Sequence, residues 1–358
     1  MNILFVIDTM NAGGAARVTS ILANELANRG YNISIATNLS TRKCSYFLDN
    51  SIKLLNIYGF RVNSLKLFKL IDHIIRLRKI VKSIRPDVII GEQENGIVYA
   101  KIASLCMNIP IVGHRHNSFK ILGLSKIQRL IFNSVNVTVL LHNSDVAYVA
   151  NSIKNVQAIY NPCSYSINPL NQFDKKKIIA IVGSTKRYKD KGFDIALKIW
   201  GQIAKDYPGW TLKIIGGGSH ENEMLLKKMA ISLGIQNRVI FTGFINDVDK
   251  KLLEASVFLL TSRVEGFPMV INEAISQGCA CASFSLYGVM EELYTGNAVC
   301  FVQDGDIEGF KNVLRNMLDD VDFRNQLSQT AQKELHRYLP NEVIKDWIKL
   351  IESFNAPN

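Results

Sequence analysis

The decapeptide EGFPMVINEA, Glu265 to Ala274, sets two carboxylates eight positions apart around a Gly-Phe-Pro turn. The run just before it, SVFLLTSR, reads as a buried strand, so the decapeptide falls at that strand's carboxyl end. Pro268 suits the first turn of a helix, where its missing N–H costs nothing. A helix starting there offers the amides of Met269 and Val270, and its dipole favours negative charge. Together they suit a diphosphate. Glu265 ahead of the helix and Glu273 within it can then accept hydrogen bonds from sugar and ribose hydroxyls, and Gly266 permits close backbone approach. Most glutamate pairs are simply solvated helix ends, but that reading leaves the Gly-Phe-Pro turn and the buried strand unexplained.

The elements that must position these groups alternate along the whole chain. NILFVID, YNISIAT, PDVIIGE, IPIVGHRHN and VNVTVLLHN are short β runs, and segments of helical spacing such as ARVTSILANELANRG lie between them. Gly30 is placed to stop that first helix. The alternation pauses at AIYNPCSYSINPLNQFDKKK, whose prolines and polar residues mark a linker near 163–176. It restarts with KIIAIVGST and continues through TLKIIGGGSH, RVIFTGF, SVFLLTSR, CACASFS and AVCFVQ. A β-α-β succession on both sides of a linker predicts an α/β protein of two Rossmann-like, doubly wound parallel sheets. Ligands of such sheets bind beyond the carboxyl ends of the strands, so two facing sheets are expected to define an interdomain cleft. The expected domains are 1–165 and 176–338, followed by a segment 339–358 whose amphipathic helix, NEVIKDWIKLIESF, packs back toward the first domain.

Composition bounds the function classes. The 358 residues are 47% hydrophobic and 20% charged, as in a globular protein long enough for two cores. No apolar run approaches the ~20 residues of a membrane-spanning helix. The opening MNILFVIDTMNAGG lacks a basic n-region and reads as a first strand, so a cytoplasmic location is expected. Six cysteines include only the tight Cys279-Ala-Cys281 pair, and His114 and His116 stand two apart with no further ligand spacing. No metal site is expected, and the thiols are read as free and buried. Net charge is +11, and all of the excess lies early. Residues 1–162 carry 19 Lys and Arg against 8 Asp and Glu, whereas residues 163–358 carry 23 of each. Much of it sits in RVNSLKLFKLIDHIIRLRKIVKSIRP, where Arg61, Lys66, Lys69, Arg76, Arg78, Lys79, Lys82 and Arg85 alternate with Leu and Ile. A solvated helix face explains such a stripe, but the asymmetry of a whole domain favours an anionic membrane surface as partner. Nucleic acid is not expected, because no aromatic residues interleave with the charges.

EGFPMVINEA resembles the Glu-x7-Glu signature of family-4 retaining glycosyltransferases of the GT-B fold, of the bacterial cell-surface polysaccharide or lipopolysaccharide type. The resemblance runs nearly the length of the chain. MNILFVIDTMNAGGAARV is similar to that family's opening strand and Gly-Gly loop, and AIYNPC to its Asn-Pro segment before the linker. IVGSTKRYKDKGFDIAL is similar to its second-domain opening, a Gly-basic turn followed by Lys-Gly, and IIGGGS and RVIFTGF are similar to its nucleotide-side loops.

By that resemblance the first domain is the acceptor side and the second binds the nucleotide sugar. Glu273 is expected on the ribose hydroxyls, Glu265 on the donor sugar, and the amides around Phe267, Met269 and Val270 on the phosphates. Lys191 would neutralise the leaving diphosphate with help from Lys186 or Arg187, since departure of that group demands more than one positive charge. Gly13 and Gly14 would let the first loop approach the substrates, and Gly216, Gly217, Gly218 and Phe244 would line the nucleotide pocket. HRHNSFK resembles the family loop whose histidine contacts the donor sugar, with His116 the better match and His114 the alternative. Glu92 and Glu94 in GEQENG sit where an acceptor could be held.

The implied enzyme is a retaining, metal-independent hexosyltransferase with no cofactor. It would move a hexose or N-acetylhexosamine from a UDP-sugar to a lipid-linked or lipopolysaccharide-type glycan at the inner face of the membrane. A nucleotide-sugar epimerase of the same fold and a non-enzymatic membrane-surface binding protein are the alternatives. An NAD-dependent enzyme fits less well, because NAGGAARV lacks the G-x-G-x-x-G spacing.

Overall fold

The computed structural model describes residues 1–39, 44–59, 66–170 and 174–354, without the side chains of 66–69. Arg61 of the basic segment therefore lies outside the described residues. The chain divides into two compact units, Met1–Ser164 together with Tyr338–Asn358, and Tyr165–Arg337.

The first unit is built on a parallel sheet of seven strands. They are β1 (Asn2–Val6), β2 (Asn32–Thr37), β3 (Lys53–Asn56), β4 (Val88–Glu92), β5 (Ile111–His114), β6 (Val137–Leu140) and β7 (Val156–Ala158). Their order is β3-β2-β1-β4-β5-β6-β7. The order reverses between β1 and β4, which is the switch point of a doubly wound sheet. Helices α1 (Gly14–Ala27), α2 (Lys66–Ile84), α3 (Gln93–Ala103), α4 (Phe119–Leu122), α5 (Lys126–Asn133) and α6 (Asn143–Val149) form its connections. Gly30 follows α1 with φ 86°, a left-handed stop of the kind its position predicts. Leu4, Val6, Ile89 and Ile111 from the strands meet Leu77 and Val81 of α2 in one core, since strands covered on both faces read as continuous apolar runs.

The second unit has six parallel strands, β8 (Lys176–Val182), β9 (Thr211–Ile215), β10 (Val239–Phe241), β11 (Ala255–Leu260), β12 (Ala280–Phe284) and β13 (Cys300–Val302). Their order is β10-β9-β8-β11-β12-β13, with the switch point between β8 and β11. All six residues of β11 are buried. Its helices are α7 (Phe193–Ile203), α8 (His220–Ser232), α9 (Val248–Glu254), α10 (Met269–Ser276), α11 (Val289–Leu293), α12 (Ile307–Asp319) and α13 (Val321–Leu335).

Helix α14 (Pro340–Glu352) belongs to the first unit. Val343, Ile344, Trp347, Leu350 and Ile351 form its buried stripe, spaced three and four apart. The Trp347 ring stands edge-on to His114 with centroids 4.9 Å apart, and Tyr31 donates to Glu352 at 2.6 Å. The six cysteines are free thiols, with Cys279 and Cys281 wholly buried.

Candidate active site

Switch-point geometry brings together residues far apart in sequence. The loop after β8 carries Lys191 and the loop after β11 carries Glu265, and those strands are neighbours. Lys191 Nζ donates to Glu265 Oε1 at 2.8 Å and Oε2 at 3.0 Å. Ser262 Oγ donates to the same Oε1 at 2.7 Å. The Lys191 and Glu265 side chains are only 19% and 10% exposed, so the charges meet where water screens them weakly.

Three contacts staple the two loops. Gly192 has φ 66°, and a Cβ there would lie 1.7 Å from the Thr261 carbonyl oxygen, so the Lys-Gly pair is a steric requirement of this approach. Thr261 Oγ1 donates to the Gly192 carbonyl at 2.8 Å. Arg263 grips both carboxylate oxygens of Asp194, in the first turn of α7, at 2.9 and 2.8 Å, and its own amide donates to the Asp190 carbonyl. Thr261, Ser262 and Arg263 carry no motif that marks them. Thr261 and Arg263 find partners 69 residues away, and nothing around Ser262 signals its bond to Glu265, so sequence reading missed them.

The helix start differs from expectation in one respect. Pro268 has φ −80° and ψ 74° and is the cap, not the first helical residue. Those angles are an inverse γ-turn, which folds the Met269 amide back onto the Phe267 carbonyl at 2.8 Å. Ile271 donates to Pro268 at 2.9 Å. Of the two amides assigned to phosphate, Met269's is therefore occupied, and among the described residues Val270's has no acceptor. The Phe267 and Met269 side chains are buried, and Glu273, in the second turn of α10, is 2% exposed.

The glycine run after β9 lies against the loop after β8. Gly216 has φ 121° and packs on the Gly183 carbonyl, where a Cβ would come within 2.1 Å. Ser184 Oγ and the Thr185 amide both donate to the Gly217 carbonyl. Lys186 is exposed with its stem beside Gly218, whereas Arg187 pairs with Asp190 at 2.9 Å. Of the two candidates, Lys186 is the one without an ion pair among the described residues. Phe244, next to Gly217, is 72% exposed.

The first unit has its own cluster at the carboxyl edge of its sheet. Register pairs Glu92 with His114 on neighbouring strands. His116 Nε2 donates to Glu92 Oε2 at 2.5 Å, and His114 Nδ1 lies 3.1 Å from the same oxygen. Burial alone would raise the Glu92 carboxyl, but His114 and His116 hold it down to about 2. Burial, with His116 beside it, lowers His114. These three could share an ion. Yet two ligands of one tetrahedral ion stand ~3.3 Å apart when each bond is ~2.0 Å. The 2.5 Å spacing is a hydrogen bond. Glu94 is taken by Arg115 and Gln128, so both carboxylates considered for an acceptor have protein partners. At the β1–β4 switch point Asn95 donates to Asp8 at 2.6 Å. Gly13 and Gly14 are exposed at the start of α1. The Tyr46 hydroxyl accepts from the Gly13 amide at 2.9 Å and donates to its carbonyl at 3.1 Å.

Two family models cover most of the chain. "Glycosyl transferase 4-like" matches residues 3–135, and "Glycosyl transferases group 1" matches residues 166–334. The chain belongs to the family-4 glycosyltransferases of the GT-B fold. This transferase is 28% identical over 352 residues to an uncharacterized glycosyltransferase of Haemophilus influenzae, covering 96% of this chain and 97% of the relative. It is 26% identical over 360 residues to a Campylobacter jejuni protein, covering 98% of each. That protein's name is GalNAc-alpha-(1->4)-GalNAc-alpha-(1->3)-diNAcBac-PP-undecaprenol alpha-1,4-N-acetyl-D-galactosaminyltransferase. The fold of this chain matches that of Anabaena HepE in complex with UDP, with TM-score 0.78 and 16% identity over 99% of this chain and 100% of the other. Among the described residues no helix of the transferase is long and apolar enough to cross a membrane.

Proposed function

We propose that this glycosyltransferase moves a hexose or N-acetylhexosamine from a UDP-sugar to a lipid-linked or lipopolysaccharide-type glycan, with retention and without a metal. The observation that carries the reading is the largely buried Lys191–Glu265 pair, held at the β8–β11 switch point beside the start of α10. Lys191 is the cation for the diphosphate, and Lys186, exposed beside Gly218, is its second contact. The Val270 amide adds the positive end of the helix. These fixed charges stabilise the negative charge that builds on the leaving phosphate.

Glu265 retains acceptor capacity beyond Lys191 and Ser262 for a sugar hydroxyl. The second carboxylate of the signature, Glu273, serves the ribose. In the first domain, His116, with its ring oriented by Glu92, is the residue assigned to the donor sugar. The acceptor hydroxyl attacks from the face that the diphosphate leaves, and a departing phosphate oxygen takes the proton. The Campylobacter relative's name supports a lipid-linked acceptor, and the UDP complex supports the donor base. The basic first domain would bring the enzyme to the inner face of the cell membrane.

The test is a panel of nucleotide sugars scored by thermal stabilisation and by release of the nucleoside diphosphate. A UDP-sugar is expected to stabilise the protein and turn over. Interconversion of two UDP-sugars without transfer would establish the epimerase instead. Silence across the panel, with retained vesicle binding, would leave only a membrane-surface protein.

A further inference from the structure

We propose that helix α5, with the end of α4, is the element through which the first domain docks on an anionic bilayer. This rests on the membrane part of the reading above and assigns it to a surface other than the basic helix α2.

Helix α5 is well anchored on one side. Ser125 and Gln128 form a reciprocal cap, with Ser125 Oγ accepting from the Gln128 amide at 3.2 Å and Gln128 Oε1 accepting from the Ser125 amide at 3.0 Å. Phe132 is fully buried edge-on to Phe119, and Gln128 Nε2 also donates to Glu94 at 2.9 Å. The opposite side carries Ile127 and Leu130, one turn apart and 71% and 73% exposed, with Leu122 at the end of α4 53% exposed. A rigid, capped helix thus presents large aliphatic side chains to water, which is unfavourable unless something covers them.

Charge says what covers them. Lys126 and Arg129 flank the two side chains, both exposed, with Lys120 on α4. None of the three is in an ion pair among the described residues. From Gly96 to Ser144 the sequence holds five basic residues and no Asp or Glu, so no carboxylate in this segment repels an anionic surface. Apolar side chains ringed by unpaired cations on one helix face are the pattern of an interfacial helix. Helix α2 exposes its aliphatic residues less, with Ile71 at 44% and Ile75 at 50%, and its arginines are held. Its Arg76 is held by Asp72, and its Arg78 donates to the Ala103 and Leu105 carbonyls.

Flotation of the full chain with phosphatidylcholine vesicles, alone or with roughly one third phosphatidylglycerol, tests this. Wild type is expected to float with the anionic vesicles. Ile127→Gln with Leu130→Gln should lower partitioning at least about tenfold. Lys126→Gln with Arg129→Gln should lower it about fivefold or more and flatten its salt dependence. Lys79→Gln with Lys82→Gln on α2 should stay within about threefold of wild type. An unchanged thermal shift with UDP shows that each variant is folded. Wild-type flotation of the Ile127/Leu130 variant, with loss in the α2 variant, would overturn the assignment to α5 and leave the membrane reading standing. Wild type that floats with neither vesicle overturns both. Dimers that depend on Ile127 and Leu130 without vesicles would make the occupant a second copy and overturn the proposal.

Discussion

Replacing Glu265 with Gln is expected to have three effects of different sign. The carboxylate holds Lys191 Nζ through both oxygens at 2.8 and 3.0 Å, so in the unliganded protein it occupies the cation proposed for the diphosphate. Removing its charge frees Lys191 and relieves repulsion of the incoming phosphates. UDP should then bind about tenfold tighter, a gain of ~1.4 kcal/mol. The unliganded fold should lose stability, because Lys191, mostly shielded from water, is left without its counter-charge. Breaking a fully buried pair costs about 3–5 kcal/mol. With the side chains still 19% and 10% exposed, about 1–3 kcal/mol is the working figure. Sugar transfer should fall about a hundredfold, since the donor sugar loses an oriented acceptor. Calorimetric titration with UDP, thermal unfolding and initial rates measure the three separately. Lys191→Ala should weaken UDP binding and transfer together. Weaker UDP binding by Glu265→Gln than by wild type would refute the reasoning, since it would mean that the pair supports the diphosphate instead of competing with it.

Gly192→Ala should destabilise the second domain by at least about 2 kcal/mol, because the residue is left-handed and its Cβ would overlap the Thr261 carbonyl. Chemical unfolding reads this directly, and a neutral result would mean that the two loops are not pressed together. Phe244→Ala should leave stability unchanged, since the ring is exposed, yet weaken UDP about fivefold or more if it stacks on the base. A ribose diphosphate without a base should be insensitive to the change. Glu92→Gln should show its cost by pH. The folded carboxyl at about 2 lies below its ordinary 4.5, so the stability it contributes, about 3 kcal/mol, is complete above the ordinary value. It is lost as pH falls toward 2. Urea unfolding of wild type and variant should therefore diverge at neutral pH and converge in acid, and a gap constant with pH would contradict the assignment.

Much of the architecture was legible because it rests on local pattern. Period and length separate buried parallel strands such as SVFLLTSR from amphipathic helices such as NEVIKDWIKLIESF, and the Asn-Pro linker interrupts both. Short strands without a flanking signal, such as Lys53–Asn56 and Val156–Ala158, were not seen, because three or four residues, none of them buried, carry no periodicity of their own. The γ-turn at Pro268 was missed for a related reason. Proline limits φ but leaves ψ open, and ψ decided that the Met269 amide would be spent on Phe267.

Sequence alone determined the two-sheet α/β class, the family and the residue types of the candidate site. These depend on alternation, glycine placement and a motif contiguous in the chain. Only the tertiary structure decided which charges meet. Lys191 reaches Glu265 because β8 and β11 are neighbours at the switch point, and strand adjacency is not encoded in either loop. Register likewise seats Glu92 opposite His114 and under His116, which gives the two candidate histidines a shared carboxylate. The same holds for the basic first domain. Its charge was visible from composition, but which cations are spent on internal partners and which stand free beside Ile127 and Leu130 depends on how the helices pack.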